Sequence, residues 1–121
     1  MSKDRHDWEI AEKQSRDIIG KIAFFDIDNK LRSCTIGYHT KEAHRNNGYM
    51  TEALTYALRF MILEEGFRRI SGGHQADNPA SGKVMAKAGM KCEGVLRQDF
   101  MNANGTLVDS ILYSIIKQDL A

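Results

Sequence analysis

The sequence predicts one α+β domain, on the evidence of its size, its hydropathy pattern and the turn signals that separate its segments. The chain has 121 residues, of which 42% are hydrophobic and 27% are charged. That is enough for one compact core and leaves little room for a second. Alternating segments and segments of helical period follow each other in the order β-β-β-α-β-α-β-β. We therefore expect a single domain over residues 1–121.

Three β-prone segments precede the first helix. The first, at residues 8–12, partly alternates between apolar and polar side chains. The second, at residues 18–27, runs into a turn-like sequence at residues 26–29, and the third lies at residues 31–39. The third segment puts Cys34, Ile36 and Tyr38 on one face and Thr35 and Gly37 on the other. These segments predict an antiparallel start to the sheet.

The clearest helical signal lies at residues 50–62. Apolar side chains recur there at spacings of three and four residues, and Gly66 supplies a stop. They are Met50, Ala53, Leu54, Ala57, Leu58, Met61 and Ile62. Because the periodicity explains them, we expect Met50, Met61, Met85 and Met90 in the core.

A second helix is predicted after a short strand at residues 69–75. Asn78 and Pro79 are typical of the N-cap and the first residue of a helix, and Gly89 is typical of a left-handed C-terminal cap. The residues between them that repeat every four positions are Ala80, Val84 and Ala88.

The chain ends in a predicted hairpin. Its strands are expected at residues 91–101 and 106–116, on either side of a turn that contains Asn104-Gly105. Asn-Gly between two β-prone segments is a strong hairpin signal.

Charge and cysteine content exclude several classes of protein. There are 17 Lys+Arg and 16 Asp+Glu residues, a net charge of +1, which argues against a nucleic-acid partner. No apolar run approaches the ~18 residues of a membrane span, and the charged first residues lack a signal-peptide core, so we expect no membrane partner and a cytoplasmic protein. Cys34 and Cys92 stand alone, and His39 and His44 have no partner ligands, so we expect reduced thiols and no metal.

A polar loop at residues 44–52 leads directly into the long helix. Unpaired N–H groups and the positive end of the dipole lie at a helix N-terminus, and Gly48 lets an anion approach the main chain. Arg45 adds a positive charge, so the loop is suited to a pyrophosphate. An ordinary strand-to-helix turn is the alternative. Neither GxxxxGK[ST] nor GxGxxG is present, which excludes P-loop and dinucleotide-binding units.

Two segments resemble one known family. The sequence IGY at 36–38 and RNNGYMTEAL at 45–54 resemble the acetyl-CoA loop of the GNAT N-acetyltransferases. The sequence NPASGKVMAKAGM at 78–90, followed by EGVLR at 93–97, is similar to a signature of the ribosomal-protein (RimJ/RimL-like) branch of that family.

The resemblance implies a fold and an activity. The fold is the acyl-CoA N-acyltransferase (GNAT) fold of three-layer α/β type, here N-terminally shortened, with two main helices and a central, mostly antiparallel mixed sheet. The activity is acetyl-CoA-dependent N-acetyltransfer to a primary amine, either a protein N-terminus such as that of a ribosomal protein or a small amine. A non-catalytic acyl-CoA-binding module or truncated remnant is the alternative.

The resemblance also implies which residues bind the cofactor. Those that wrap the pyrophosphate are Arg45, Asn46, Asn47, Gly48, Tyr49 and Met50. Met50 stands where the family has a small residue. Asn78 and Ser81 border the pantetheine arm and its sulfur, and Lys83 and Lys87 reach toward the adenosine phosphates.

Catalysis needs a polarised carbonyl, a proton for the leaving thiolate and an acceptor for the amine proton. By resemblance, a backbone N–H near Tyr38-His39, where the third strand leaves its neighbour, polarises the carbonyl. Ser81 is the expected donor to sulfur, or else a supplementary helix cap. The candidate proton acceptors are Glu93, Asp99, His74 and water.

The three side chains could instead have purely structural roles. In that case Glu93 pairs with Arg97, Asp99 is a solvated edge residue and His74 lies at the edge of the core. Tyr38, Tyr49 and Tyr56 are assigned to packing.

Members of the family usually carry a further strand and two helices before the first strand found here. These elements form one wall of the acceptor groove. We therefore expect an open acceptor side and an exposed sheet edge. Exposed edges favour pairing, so the sequence predicts a homodimer.

Overall fold

A six-stranded sheet with two helices forms the body of the protein in the computed structural model, which describes residues 5–41 and 48–120. The strands are β1 (His6–Ala11), β2 (Ile18–Asp28), β3 (Ser33–Thr40), β4 (Arg69–Gln75), β5 (Lys91–Met101) and β6 (Leu107–Ile116). The helices are α1 (Tyr49–Leu63) and α2 (Pro79–Lys87), and a short 3-10 helix (Lys117–Leu120) follows β6. The predicted order of elements is confirmed.

The sheet is mixed and mostly antiparallel, as expected. Its strand order is β1-β2-β3-β4-β6-β5, and β3 with β4 is the parallel pair. The other neighbours are antiparallel. Strands β1 and β5 form the two edges of the described sheet.

The parallel pair is short. Strands β3 and β4 are paired from Ser33–Arg69 to Thr35–Ser71. Beyond these residues β3 continues to pair with β2, and β4 continues to pair with β6, but β3 and β4 no longer pair with each other. The sheet therefore opens between β3 and β4, in the region where the resemblance places a freed N–H.

The core lies between the helices and one face of the sheet. The period-two pattern of β2 and β3 buries alternate side chains, and the period-3.6 pattern of α1 buries one stripe against them. The largest fully buried side chains are Phe24, Ile22, Ile27, Leu54, Leu58, Met61, Ile70, Met85 and Ile115. The methionines expected in the core, Met50, Met61, Met85 and Met90, are all buried.

The C-terminal end of α2 has the predicted left-handed cap. Gly89 has a φ of +103°, and its N–H donates to the Ala86 carbonyl at 3.1 Å. The next N–H, of Met90, donates to the Met85 carbonyl at 3.0 Å. These two bonds satisfy carbonyls that the helix leaves unpaired, and they set where the chain turns back into β5.

Both cysteines are free thiols on strands, as predicted. Cys34 is buried on β3 and Cys92 is exposed on β5. Within residues 5–41 and 48–120, no helix has the length and apolar character needed to cross a bilayer.

Candidate functional site

A cleft of about 600 Å³ opens between the start of α1 and the start of α2, beside the end of β3. Its lining residues are Tyr38, His39, Thr40, Gly48, Tyr49, Met50, Thr51, Asn78, Pro79, Ala80, Ser81, Lys83, Val84 and Lys87. The fold thus brings the start of α1 and the whole predicted binding segment of α2 to one place. Arg45, Asn46 and Asn47 lie outside the described residues.

The start of α1 presents main-chain N–H groups to this cleft. Gly48 stands at the N-cap position with a φ of +77°, a left-handed conformation that glycine adopts without strain. It has no side chain with which to cap the helix, and a Cβ added there would meet no atom within 4 Å. An uncapped helix N-terminus of this kind attracts a negatively charged ligand.

Met50 is almost wholly buried. It is among the residues that line the cleft, but only 5% of it is exposed. Its methyl carbon packs over Gly20 of β2, 3.0 Å from where a Cβ on that glycine would stand. The departure from the small residue of the family pattern is therefore taken up by the core.

Asn78 occupies the N-cap position of α2 but does not cap it with its side chain. The N–H of Ser81 donates to the main-chain carbonyl of Asn78 at 3.3 Å, and no side-chain capping bond is formed. The predicted N-cap position of Asn78 and the predicted start of the helix at Pro79 are confirmed, and Asn78 also lines the cleft.

Ser81 is held by Tyr38, a contact that sequence reasoning missed. The phenol oxygen of Tyr38 lies 2.7 Å from Ser81 Oγ and 2.7 Å from the Ser81 carbonyl oxygen. Burial raises the pKa of Tyr38, the hydrogen bond with Ser81 opposes that rise, and nearby Tyr113 adds to it. Tyr38 thus joins the end of β3 to the first turn of α2, beyond a role in packing.

His74 packs against α2 at Gly82, the residue that follows Ser81. A Cβ on the buried Gly82 would stand 2.6 Å from His74 Nε2 and 3.1 Å from the hydroxyl of Tyr113. His74 Nδ1 lies 2.7 Å from the Gln75 carbonyl oxygen. A neutral imidazole that donates from Nδ1 keeps Nε2 as an acceptor.

Glu93 pairs with a different arginine from the one the sequence suggested. Its two carboxylate oxygens accept bonds from Arg69 at 2.5 and 3.1 Å, so the predicted pairing with Arg97 is wrong. The Arg69 hydrogen bonds lower the pKa of Glu93. The residue is exposed and does not line the cleft.

Asp99 also lies outside the cleft lining. It is exposed on β5 and accepts a hydrogen bond from the Ser110 hydroxyl at 2.9 Å. The structure therefore brings Ser81 to the cleft and places both predicted carboxylates elsewhere on the sheet. Of the candidate acceptors, His74 is the one packed directly against α2.

The charge of the cleft matches a polyanion. Among the described residues that line it, Lys83 and Lys87 are basic and none is a carboxylate. Both lysines are exposed on α2. No cluster of three or more metal-ligating side chains occurs in the described part of the chain.

The fold is that of solved acetyltransferases. A chimera of the spermidine N-acetyltransferase from Vibrio cholerae superimposes with a TM-score of 0.86 at 20% identity, over 96% of this chain and 72% of that one. A GNAT-family acetyltransferase from Bacillus anthracis superimposes with a TM-score of 0.83 at 25% identity, over 93% of this chain and 66% of that one.

Relatives that are similar in sequence are also named N-acetyltransferases. The uncharacterized N-acetyltransferase YoaA of Bacillus subtilis is 36% identical over 110 residues, which cover 91% of this chain and 62% of the relative. The alanine N-acetyltransferase of ribosomal protein uS5 from Escherichia coli is 28% identical over 91% of this chain and 57% of its own length. The chain therefore spans about three fifths of the length of these relatives.

A family model completes the comparison. The model described as the acetyltransferase (GNAT) domain matches residues 1–91, three quarters of the sequence. Together with the cleft at the starts of α1 and α2 and the opening between β3 and β4, this match shows that the chain belongs to the GNAT family of N-acetyltransferases.

Proposed function

We propose that this protein transfers the acetyl group of acetyl-CoA to a primary amine by direct attack on the thioester. The observation that carries the proposal is the cleft between α1 and α2, which combines an uncapped helix N-terminus, two lysines and a positioned serine hydroxyl. These features suit a ligand with phosphates at one end and a reactive sulfur at the other.

Acetyl-CoA is the cofactor of the GNAT family, and when bound it supplies the acetyl group as an activated thioester. The described residues fit it. Main-chain N–H groups at Gly48, Tyr49 and Met50 hold the pyrophosphate, and we add Arg45, Asn46 and Asn47 by resemblance. Asn78 and Ser81 border the pantetheine arm, and Lys87, with Lys83, meets the adenosine phosphates.

Three groups of the chain serve the chemistry. A main-chain N–H of β3 beyond Thr35, on the side that no longer pairs with β4, polarises the carbonyl. Ser81 gives its hydroxyl proton to the departing thiolate. For the proton of the attacking amine, His74 and water are favoured over Glu93 and Asp99, because the structure engages both carboxylates elsewhere.

For the acceptor we propose an α-amino group, of a ribosomal protein or another protein, or a small amine. Two relatives are named for acetylating ribosomal proteins, at alanine and at serine. An α-amine has an ordinary pKa of about 8, against about 10.4 for a lysine side chain, so it is more easily present in its neutral, nucleophilic form.

Calorimetry with acetyl-CoA, followed by a thiol-release assay over a panel of N-terminal peptides and small amines, tests the proposal. Binding and release with at least one amine support it. Binding without release for any amine favours the acyl-CoA-binding module instead, and no binding at millimolar acetyl-CoA refutes both. Ser81→Ala is expected to lower kcat more than acetyl-CoA affinity, whereas Ser15→Ala, in the exposed turn before β2, serves as the matched control.

We further propose that the chain forms a homodimer. Edge strand β5 exposes a series of apolar side chains, namely Val95, Leu96, Phe100 and Met101. Exposed apolar edges favour association. A structural neighbour, the spermidine N-acetyltransferase of Vibrio cholerae, is described as dodecameric. Light scattering at micromolar concentration checks the proposal, and a monomer mass contradicts it.

A further inference from the structure

We propose that Tyr38 is a positioning residue for the acetyl-transfer step, because its hydroxyl group orients the Ser81 hydroxyl and stabilises it while it gives up its proton. This inference rests on the proposed function. It goes beyond it by assigning a role to a residue that the sequence pattern places in packing.

The geometry gives the Tyr38 hydroxyl two partners on one residue. Its oxygen is 2.7 Å from both Ser81 Oγ and the Ser81 carbonyl oxygen. A phenol has one proton, so it donates to one of these oxygens at a time. The carbonyl can only accept, whereas Ser81 Oγ can either donate to the phenol or accept from it.

Two arrangements of protons follow from the same positions of heavy atoms. In the first, Tyr38 donates to the carbonyl and Ser81 donates to Tyr38. In the second, Tyr38 donates to Ser81 Oγ, so the serine proton is free to point into the cleft that Ser81 lines. Passing from the first to the second requires rotation of two hydroxyl groups and no movement of α2.

The second arrangement answers a chemical difficulty. A serine hydroxyl is a weak acid, so proton donation to a thiolate leaves a costly charge on its oxygen. During the step the amine forms a C–N bond to the acetyl carbon, the C–S bond breaks, and the Ser81 O–H bond breaks as an S–H bond forms. The Ser81 oxygen then regains a proton from water, and the proton that the amine gives up replaces the one that water has lost. A hydrogen bond from Tyr38 stabilises the charge that develops on that oxygen, as charge-assisted hydrogen bonds do.

Tyr38 stays protonated while it does this. Burial raises its pKa, the neighbouring Tyr113 of β6 raises it further, and the Ser81 hydroxyl of α2 lowers it. The net direction is upward from an ordinary value near 10, so the phenol remains a donor at neutral pH. The ring of Tyr113 also lies near that of His74 of β4, with ring centres 5.7 Å apart.

A purely structural role makes a different prediction. If Tyr38 serves only to tie β3 to α2 through the Ser81 carbonyl, removal of its hydroxyl harms the protein equally with or without the serine hydroxyl. If it acts through the hydroxyl of Ser81, removal matters only while that hydroxyl is present. The two variants therefore form a thermodynamic cycle that separates the roles.

The experiment measures thiol release by wild type, Tyr38→Phe, Ser81→Ala and the double variant. We expect Tyr38→Phe to lower kcat about tenfold while KM for acetyl-CoA changes less than about twofold, and to have almost no further effect in the Ser81→Ala background. Tyr56→Phe is the matched control, because this exposed tyrosine on α1 loses the same atom far from Ser81. Equal losses in both backgrounds, or a rise in KM alone, overturn the inference.

A second readout needs no activity and only one substitution. The absorbance of tyrosinate is followed during alkaline titration of wild type and of Ser81→Ala. Because the serine hydroxyl lowers the pKa of Tyr38, its removal is expected to shift one tyrosine to higher pH. Unchanged titration overturns the inference even if Tyr38→Phe fails to fold. If the wild type releases no thiol, the proposed function is refuted. If the wild type is active and the effects of Tyr38→Phe and Ser81→Ala on kcat simply add in the double variant, only the inference about Tyr38 is refuted.

Discussion

Gly20 and Met50 form a contact that accommodates a large side chain at the start of α1. Met50 is the second residue of α1, and its methyl carbon occupies the space beside Gly20 of β2 where a Cβ would point. The same glycine also faces the carbonyl oxygen of His39 on the neighbouring strand. A side chain that departs from the family pattern is therefore accommodated by a glycine 30 positions earlier in the chain.

Gly20→Ala is expected to destabilise the protein. The added Cβ would collide with the His39 carbonyl oxygen and press on Met50, and such overpacking costs about 1–3 kcal/mol. Urea unfolding followed by circular dichroism measures the loss. Gly94→Ala is the control, since a Cβ there meets nothing within 4 Å. Equal stability of the two variants would show that β2 and β3 adjust without cost.

Gly82→Ala is expected to reduce activity by displacing Ser81. Its Cβ would stand 2.6 Å from His74 Nε2, so we expect α2 to shift away from the sheet or the His74 ring to turn, and either change disturbs the first turn of α2. We expect thiol release to fall at least about tenfold, because small misplacements of a reacting group are costly. The same clash should lower the stability of Gly82→Ala, and His74→Ala in the same chain restores the space, so urea unfolding should show the double variant to be more stable than Gly82→Ala alone. If Gly82→Ala retains full activity, α2 is not tightly positioned by His74.

Glu93→Gln is expected to leave the rate of acetyl transfer unchanged and to alter stability in a pH-dependent way. The bonds from Arg69 lower the pKa of Glu93, so its stabilising effect is present above the ordinary glutamate pKa of about 4.3 and is lost as the pH falls through the lowered value. The urea midpoint of wild type should exceed that of the variant at pH 7 and match it in strong acid. A large drop in kcat at pH 7 would instead make Glu93 the proton acceptor.

The two cysteines are expected to differ sharply in reactivity. Burial raises the pKa of Cys34 to about 12, and Arg32 lowers it only in part, so little reactive thiolate forms at pH 8. Exposed Cys92 should react at once with a chromogenic disulfide, giving one thiol per native chain and two in urea. In Cys92→Ser the native signal should vanish. If two thiols of the native protein react rapidly, Cys34 is not buried on β3.

Lys87→Ala is expected to weaken binding of coenzyme A through its phosphates. Lys87 lies on the rim of the cleft without a carboxylate among the described lining residues. Calorimetry should show a loss of about threefold to tenfold for coenzyme A and a smaller loss for dephospho-coenzyme A, which lacks the ribose 3′-phosphate. Lys21→Ala is the control, because Lys21 is an exposed residue of β2 that does not line the cleft. If the affinity for both ligands falls equally, Lys87 does not contact the 3′-phosphate.

The elements of the fold were predictable because each has a local signal. Strands β4 and β5 begin and end where expected, and Gly89 closes α2 as predicted, because glycine, proline and Asn-Gly act within a few residues.

The site was only partly predictable, because its contacts join distant positions. Tyr38 and Ser81 are 43 residues apart, and Arg69 and Glu93 are 24 apart. No periodicity or local motif reports such pairs. The sequence pattern therefore could not show that Tyr38 contacts the Ser81 hydroxyl, nor that Glu93 pairs with Arg69.

The short parallel pairing of β3 with β4 has a consequence for how this architecture varies. The carbonyl site that we propose lies where β3 and β4 separate, and this separation is a property of the backbone path rather than of particular side chains. Chains with a fifth of their residues in common can keep that path, as the superposition at 20% identity illustrates. In the proposed mechanism, amine recognition can therefore diversify while the part of the site that is made by the main chain stays the same.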